Sequence, residues 1–154
     1  MTEKLVVYDS VFGNTAKIAE GIGEAVGDAS VKKVSEVNQT DLQNLSILFV
    51  GSPTRAFRPT PEIITFLKGL DRSALNGVQA AAFDTRFPLE QANPGFLRLM
   101  IKIFGYAAEK INKALSRAGA DLSLEDAGFA VIDTEGPLAD GELERARTWA
   151  KEIL

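Results

Sequence analysis

Short apolar runs alternate with helical patterns along this chain, and that alternation restricts its fold more than any other feature of the sequence. Each apolar run has the length of a buried strand, and the segments between runs repeat apolar residues at helical spacing. Strands that are apolar on both faces and separated by helices form a parallel sheet with helices on both sides. We therefore predict an α/β fold with three layers, α/β/α. The predicted strands are residues 5–8, 31–37, 47–50, 78–83 and 128–132.

The helical patterns fill the gaps between these strands. Ile18, Ile22 and Val26 recur every four residues, and Pro61 suits the first turn of the next helix. A longer apolar stripe, ended by Gly119, predicts helix across residues 96–118. The members of that stripe are Leu97, Met100, Phe104, Ala107, Ile111 and Leu115. Further helices are predicted at 41–44 and 143–153.

The second predicted strand is partly polar, which places it at an edge of the sheet. Its adjacent cations, Lys32 and Lys33, protect such an edge from pairing with another chain. The expected strand order is 2-1-3-4-5, a five-stranded parallel sheet whose ligands bind at the carboxyl ends of the strands beside strand one. Three loops converge there, at residues 9–15, 51–61 and 84–95. The 154 residues suffice for one full core, so we predict a single domain over 1–154.

Composition excludes several classes of function. The chain has no cysteine and no histidine, so thiol catalysis and the commonest general base and metal ligand are absent. We expect no metal site, and we expect a cofactor to carry any demanding chemistry. The net charge of −4, without a Lys/Arg-rich block, argues against nucleic acid as a partner. No apolar run approaches the ~20 residues of a membrane span. Residues 1–4 lead straight into a strand, so we expect a cytoplasmic protein without a signal peptide.

The turn Ser10-Val11-Phe12-Gly13-Asn14-Thr15 joins the first strand to the first helix. A helix N-terminus presents backbone N–H groups without partners and about half a positive charge. The hydroxyl and amide side chains add donors, and Gly13 lets the backbone bend where a Cβ would clash. Because the turn holds no lysine, it is not the phosphate loop of ATPases and GTPases. It suits a phosphate monoester and indicates a mononucleotide cofactor. The alternative is an ordinary cap, in which Ser10 or Asn14 only starts the helix.

Three loops together resemble those of the flavodoxin family. Residues 10–15 match the family's phosphate loop, S/T-x-[FTY]-G-[NT]-T, at every position. Gly51-Ser52-Pro53-Thr54 matches the start of the second flavin loop, and Phe83-Asp84-Thr85 stands where the third begins. The tail Gly136-Pro137-Leu138, followed by residues 142–146, is also similar to short flavodoxin-like proteins. The resemblance therefore covers the whole chain and implies a flavodoxin-like fold.

The resemblance implies FMN as the cofactor. Residues 10–15 would hold its phosphate, Ser52 and Thr54 would lie near the ribityl chain and ring, and Asp84 would face the polar edge of the flavin. Phe57 and Phe87 are the candidates to cover the flat apolar ring, with plain core packing as the alternative for Phe57. The expected cofactor-binding residues are Ser10, Val11, Phe12, Gly13, Asn14, Thr15, Ser52, Pro53, Thr54, Arg55, Ala56, Phe57, Asp84, Thr85, Arg86 and Phe87.

The second loop departs from the family pattern because it lacks a glycine. In carrier flavodoxins this loop often holds a glycine whose peptide turns toward the flavin, whereas no glycine occurs here between Gly51 and Gly69. A positive φ at residues 55–57 would cost about 1 kcal/mol or more. We therefore expect the one-electron-reduced flavin to be less stabilised here than in a typical carrier.

Charge is the second departure from the family pattern. Arg55, Arg58 and Arg86 lie in the two loops expected to contact the ring, where carrier flavodoxins are acidic. One interpretation is that these arginines pair with acidic residues at the surface. The other is that they favour the anionic reduced flavin or attract an anionic partner, such as a nicotinamide dinucleotide phosphate.

Residues 88–105 form the third departure, an apparent insertion beside the flavin. The predicted helix 96–104 carries more apolar residues than one face can hold. A lid, a dimer interface through residues 88–104 or a docking patch would use that surplus. Deeper burial within the monomer is the commoner explanation.

Three functions are compatible with this sequence. The first is an FMN-binding electron-transfer protein with redox protein partners. The second is an NAD(P)H-dependent FMN or quinone reductase of the same fold, which residues 51–55 also resemble. The third, a phosphorylation receiver, needs an acidic cluster after strand one and an aspartate after strand three, and the chain offers only Asp9 and then Gly51-Ser52 at those places. The receiver hypothesis is therefore the weakest.

Overall fold

The computed structural model describes residues 3–88, 95, 99 and 102–154. Its five strands form one parallel sheet in the order β2-β1-β3-β4-β5, as the sequence predicts. The strands are β1 (Glu3–Tyr8), β2 (Ala29–Lys33), β3 (Leu45–Pro53), β4 (Gln79–Arg86) and β5 (Ala127–Ala130). The longer helices of the described residues are α1 (Asn14–Val26), α2 (Pro61–Lys68), α3 (Ala107–Arg117) and α4 (Glu142–Lys151). Short 3-10 turns occupy Val34–Glu36 and Gln39–Leu42.

Two apolar cores lie on opposite faces of the sheet, which confirms the three-layer prediction. One core packs α1 and α4 against the sheet, and Ile18, Ile22 and Ala146 are fully buried there. The other packs α2 and α3 on the opposite face through residues such as Ile63 and Ile111. The three central strands, β1, β3 and β4, have apolar side chains in both cores, so their apolar runs are continuous and do not alternate with polar residues.

Most elements end within two or three residues of their predicted bounds, and three of the differences have a clear physical cause. β2 spans Ala29–Lys33 and not the predicted 31–37. It ends at Lys33 because Val34 turns inward to join the core. β5 ends at Ala130, and Val131 pairs instead with Leu138 of the returning chain. The helical stripe predicted across 96–118 is not continuous. Residues 102–104 are helical, but Gly105 takes a φ of 70° and α3 begins at Ala107. A left-handed residue of this kind ends a helix.

No helix in the described part of the chain combines the length and the apolar composition that crossing a membrane requires.

Glu142 ties the start of α4 to the end of β5, and its loss has an expected effect on stability. Its Oε2 accepts the Ala130 N–H at 2.6 Å and also binds Arg145 at 2.8 Å. The Arg145 hydrogen bond, with help from the Ala130 amide and against partial desolvation, lowers the pKa of Glu142 below its ordinary 4.5. We expect Glu142→Gln to lower the free energy of unfolding by about 1–2 kcal/mol at pH 7.

That deficit should shrink on acidification, because a carboxyl with a depressed folded-state pKa stabilises the fold above its unfolded pKa and loses this contribution as the pH falls through the folded value. Urea unfolding at pH 7 and below pH 4.5, followed by fluorescence of the single tryptophan, Trp149, measures the difference in unfolding free energy between the variant and the wild type. Glu144→Gln is the control, since that side chain is 75% exposed and surface pairs contribute about 0–1 kcal/mol. Equal losses in the two variants would contradict the assignment.

Candidate functional site

A pocket of about 460 Å³ opens at the carboxyl ends of β1, β3 and β4, where the three predicted loops meet. Its size lies within the roughly 300–1,000 Å³ range typical of small-molecule sites. The predicted residues that line it are Val11, Phe12, Asn14, Thr15, Pro53, Thr54, Arg55, Ala56, Phe57, Thr85, Arg86 and Phe87. The predicted residues Ser10, Gly13, Ser52 and Asp84 do not line it, and each of them instead shapes one of the loops.

The first loop brings the N-terminus of α1 to the pocket. Gly13 is the N-cap residue, with a φ of 91° that suits glycine and with no hydrogen bond from a capping side chain. The Ser10 hydroxyl accepts the N–H of Gly13 at 3.1 Å and that of Ala16 at 3.4 Å. Asn14 and Thr15 occupy the first helical turn, where backbone N–H groups have no partner within the helix. Two N–H groups of the loop thus converge on the Ser10 hydroxyl, and the start of α1 lies at the pocket, where a helix N-terminus can bind an anion.

Three threonines join the three loops to one another. Thr15 and Thr85 share a hydrogen bond between their hydroxyls at 2.7 Å, and both residues are buried. The Thr54 N–H donates to the Thr85 carbonyl at 2.9 Å, and the Thr54 hydroxyl accepts the Ala107 N–H at the start of α3. Because each loop is bonded to the next, the pocket walls are fixed relative to one another.

The second loop is a tight turn between two fixed ends. Ser52 is fully buried and accepts the Thr60 N–H at 3.0 Å, which ties the end of β3 to the start of α2. Between them, Arg55 and Arg58 exchange two backbone hydrogen bonds of 2.9 and 3.1 Å. The residues inside this turn, Ala56 and Phe57, have φ values of 49° and 67°.

These φ values bear on one expectation from the sequence. The left-handed conformation occurs in this loop without glycine, because the two-residue turn requires it at both central positions. The expected weaker stabilisation of one-electron-reduced flavin stays a prediction, although the loop already adopts the positive φ whose cost was its basis.

Contacts from α3 hold this turn in place. The Phe57 carbonyl accepts a hydrogen bond from Lys110 at 2.5 Å, and the Phe104 carbonyl accepts another from the same ammonium. The Phe57 and Phe104 rings lie 5.7 Å apart. Partial burial lowers the pKa of Lys110, Glu109 acts in the opposite direction, and Arg58 and Lys113 add to the lowering. Phe57 therefore lines the pocket, as a residue that covers the ring would, and it also packs on an aromatic neighbour, as the core-packing alternative requires.

The third loop contains a buried ion pair. Arg86 binds Asp84 in a bidentate fashion, at 2.7 and 2.8 Å, and its guanidinium lies 3.6 Å from the centre of the Tyr106 ring. Asp84 is fully buried and also accepts the Ala108 N–H from the first turn of α3. Burial raises the pKa of the Asp84 carboxyl, while Arg86 and the Ala108 amide act against that rise.

This pair bears on the predicted role of charge in the loops. Arg86 has an acidic partner, as one interpretation of the arginines requires, although its side chain also lines the pocket. Gly128 of β5 permits the arrangement, since a Cβ there would lie 2.1 Å from the Arg86 Cζ. Arg55 lies over the Phe12 ring at 5.6 Å. Within the described ranges, neither Arg55 nor Arg58 makes an ion pair.

Four pocket residues were not predicted from the sequence: Tyr106, Val131, Thr134 and Glu135. Three of them follow β5, and the Asn14 side chain donates to the Glu135 carbonyl at 3.1 Å, which joins this fourth loop to the phosphate turn. A Cβ on Gly136 would lie 2.6 Å from the Asn14 side chain, so a glycine is needed there. The Gly136-Pro137 pair after the last strand could have indicated this loop.

Comparison with solved structures identifies the architecture. Flavodoxin 1 from Bacillus cereus matches with a TM-score of 0.76 over 99% of this chain and 97% of that chain, at 18% identity. A flavodoxin from the domain Archaea matches with a TM-score of 0.74 over 99% and 96%, at 19% identity. The chain has the flavodoxin-like fold. A flavodoxin, WrbA-like protein from Agrobacterium tumefaciens is similar to the same extent, with a TM-score of 0.74 over 99% and 95% at 18% identity.

No protein-family model and no curated protein matches the sequence. At these identities the similarity establishes the flavodoxin-like fold, and function has to be argued from the site.

The apparent insertion in this flavodoxin-like fold lies mainly outside the described residues. Of the surplus apolar residues, Phe96, Leu97, Met100 and Ile101 fall outside them, so the predicted lid, dimer interface and docking patch stay hypotheses. Leu99, Ile103 and Phe104 are described, and they are 54%, 62% and 49% exposed. Deeper burial within the monomer is therefore not the explanation for these three side chains.

Proposed function

We propose that this chain is a flavodoxin-family protein that binds FMN and transfers electrons to and from redox protein partners in the cytoplasm. The observation that supports this most directly is the pocket, which combines an anion-binding helix N-terminus with aromatic walls on one rigid sheet edge. FMN would supply the redox chemistry, since it accepts and donates electrons that side chains alone do not carry.

The first loop fits the phosphate of FMN. Gly13 suits the loop through its φ of 91°, and not through the predicted Cβ clash, since nothing lies within 4 Å of where that Cβ would be. The amides at the start of α1 and the hydroxyl of Thr15 are the donors for the phosphate oxygens. Because the turn carries no cation, it suits one phosphate group better than a polyphosphate.

The second and third loops fit the ring. Phe57 and Phe87 line the pocket on these loops, and Tyr106 adds a third aromatic wall that is braced by Arg86. Flat aromatic side chains bury an apolar ring and exclude water from it. The chain's residues would thus bind and orient the flavin, and the loop charges would select the partner.

The experiment is a titration of the apoprotein with FMN, followed by anaerobic reduction of the saturated protein with dithionite under visible spectroscopy. We expect a saturable change from the spectrum of free flavin, followed by direct conversion to fully reduced flavin. A spectrum identical to free flavin throughout would refute the proposal. A strong long-wavelength band at intermediate reduction would retain FMN binding and contradict the expected weak stabilisation of one-electron-reduced flavin.

A second candidate is an NAD(P)H-dependent FMN or quinone reductase. The supporting observation is that the second loop carries two exposed arginines, Arg55 and Arg58, that make no ion pair among the described residues, so the loop presents a cationic region. Such a region attracts the phosphates of a dinucleotide. Steady NADPH oxidation by the FMN-loaded protein with a quinone would favour this candidate, and its absence would favour the electron carrier.

A further inference from the structure

The turn at residues 55–58 is held in a conformation that its own residues do not favour. Ala56 and Phe57 both adopt positive φ, at 49° and 67°. In this region the Cβ of an L-residue crowds the backbone, and glycine and asparagine are the usual occupants. Such a conformation persists only where surrounding contacts determine it. Contacts from elsewhere in the fold therefore keep this turn in place.

One side chain supplies two of these contacts. The Lys110 ammonium donates to the Phe57 carbonyl at 2.5 Å and to the Phe104 carbonyl. Phe57 and Phe104 also pack ring on ring, at 5.7 Å. Lys110 thus joins the centre of the turn to the end of the helical segment 102–104. It is half-buried on α3, a helix whose Ile111 and Leu115 lie in the core.

Lys110 makes no ion pair among the described residues, so ion pairing does not place its ammonium there. Arg58 and Lys113 are near enough to disfavour its positive charge, and Glu109 is the counter-charge. Burial of part of the side chain disfavours the charge further. The two carbonyl acceptors are the groups that compensate, because a charged donor makes stronger hydrogen bonds than a neutral one.

We propose that Lys110 is a positioning residue for the cofactor pocket, whose ammonium holds the 55–58 turn in its left-handed form and so sets the Phe57 wall. Neither Ala56 nor Phe57 would hold this form alone. The effect on FMN rests on the proposed function, whereas the effect on the turn does not. The proposal thus has one readout without FMN and one with it.

The first test uses the apoprotein and limited trypsin digestion, with cleavage of the Arg55–Ala56 bond followed by mass spectrometry. We expect Lys110→Met to speed this cleavage about tenfold, because loss of the clamp increases local opening of the turn. Lys113→Met is the matched control, since it removes one cation from the same helix and has no hydrogen bond to the turn among those observed. Equal cleavage rates in the two variants at unchanged circular dichroism would overturn the proposal.

The second test measures the dissociation constant of FMN. We expect Lys110→Met to raise it about tenfold and Lys113→Met to change it less than about twofold, with Lys110→Arg restoring most of the affinity. The visible spectrum of bound FMN should shift in Lys110→Met, because the Phe57 ring moves. A purely structural role in α3 would lower stability without this spectral change.

The third test asks whether the coupling passes through backbone strain. Ala56→Gly makes the left-handed conformation accessible at low cost, so Lys110→Met should raise the dissociation constant by less than about threefold in that background. An undiminished tenfold effect would show that Lys110 acts on FMN by charge alone and would overturn the proposal. If the wild-type protein binds no FMN, the proposed function fails, and the trypsin comparison alone decides the role of Lys110.

Discussion

Arg86→Met should lower the free energy of unfolding by about 3–5 kcal/mol at pH 7, the range for breaking a buried ion pair on one side. The variant leaves the Asp84 carboxylate fully buried with the Ala108 amide and the Thr54 hydroxyl as donors but without a counter-charge. It also removes the guanidinium from the Tyr106 ring. Urea unfolding followed by circular dichroism measures the loss.

The deficit of Arg86→Met should shrink as the pH falls. Burial already raises the pKa of Asp84, and removing Arg86 takes away the main opposing influence. A carboxyl with a raised folded-state pKa binds its proton more tightly in the folded protein, so stability returns as the pH falls through that raised value toward the ordinary 3.8.

Two further variants test this explanation. Arg117→Met removes an exposed arginine of α3 and should cost less than about 0.5 kcal/mol. Asp84→Asn combined with Arg86→Met should recover part of the loss, because the buried group is then neutral. A pH-independent deficit that the double variant retains would show that lost packing on Tyr106, and not the unpaired carboxylate, is responsible.

Thr15→Val should weaken FMN binding about 10- to 100-fold, the effect of removing a hydroxyl that donates to a charged phosphate. Valine keeps the size and branching of threonine, so the buried first turn of α1 is preserved. Fluorescence titration of the apoprotein with FMN measures the dissociation constant.

The hydrogen bond between Thr15 and Thr85 offers a sharp control. Thr85→Val breaks the same 2.7 Å contact from the other side but leaves the Thr15 hydroxyl in the phosphate loop. We expect Thr85→Val to weaken binding less than Thr15→Val. Equal weakening would assign the effect to the contact between the two loops and remove Thr15 from the predicted phosphate site.

The sheet order and the layers were predictable from the sequence because burial leaves a strong pattern. Strands covered on both faces have continuous apolar runs, and the polar strand carrying Lys32 and Lys33 could only lie at an edge. Element ends were less predictable. Val34 and Val131 continue the apolar pattern of their strands, yet the chain bends at both positions to reach the core or to pair with Leu138.

The pocket was predicted where its residues belong to a local motif and missed where they do not. The turn 10–15 reads as a strand–loop–helix unit, and its residues meet the ends of β3 and β4 as the sheet order requires. Tyr106 and Lys110 carry no motif. Tyr106, which precedes α3, lines the pocket, and Lys110 binds the 55–58 turn beside it, because α3 packs on the sheet next to the pocket. No spacing along the chain expresses that packing.

Features set by neighbouring residues could be predicted from the sequence, whereas features set by contacts between distant residues depended on the tertiary structure. Hydrophobic periodicity, turn glycines and helix starts act over a few residues, and they determined the strands, their order and the location of the ligand loops. Side-chain partners more than ten residues apart were decided only when the layers packed. That packing made Asp84 a buried anchor for α3, paired Thr15 with Thr85, and brought Lys110 onto a turn that its own residues do not favour.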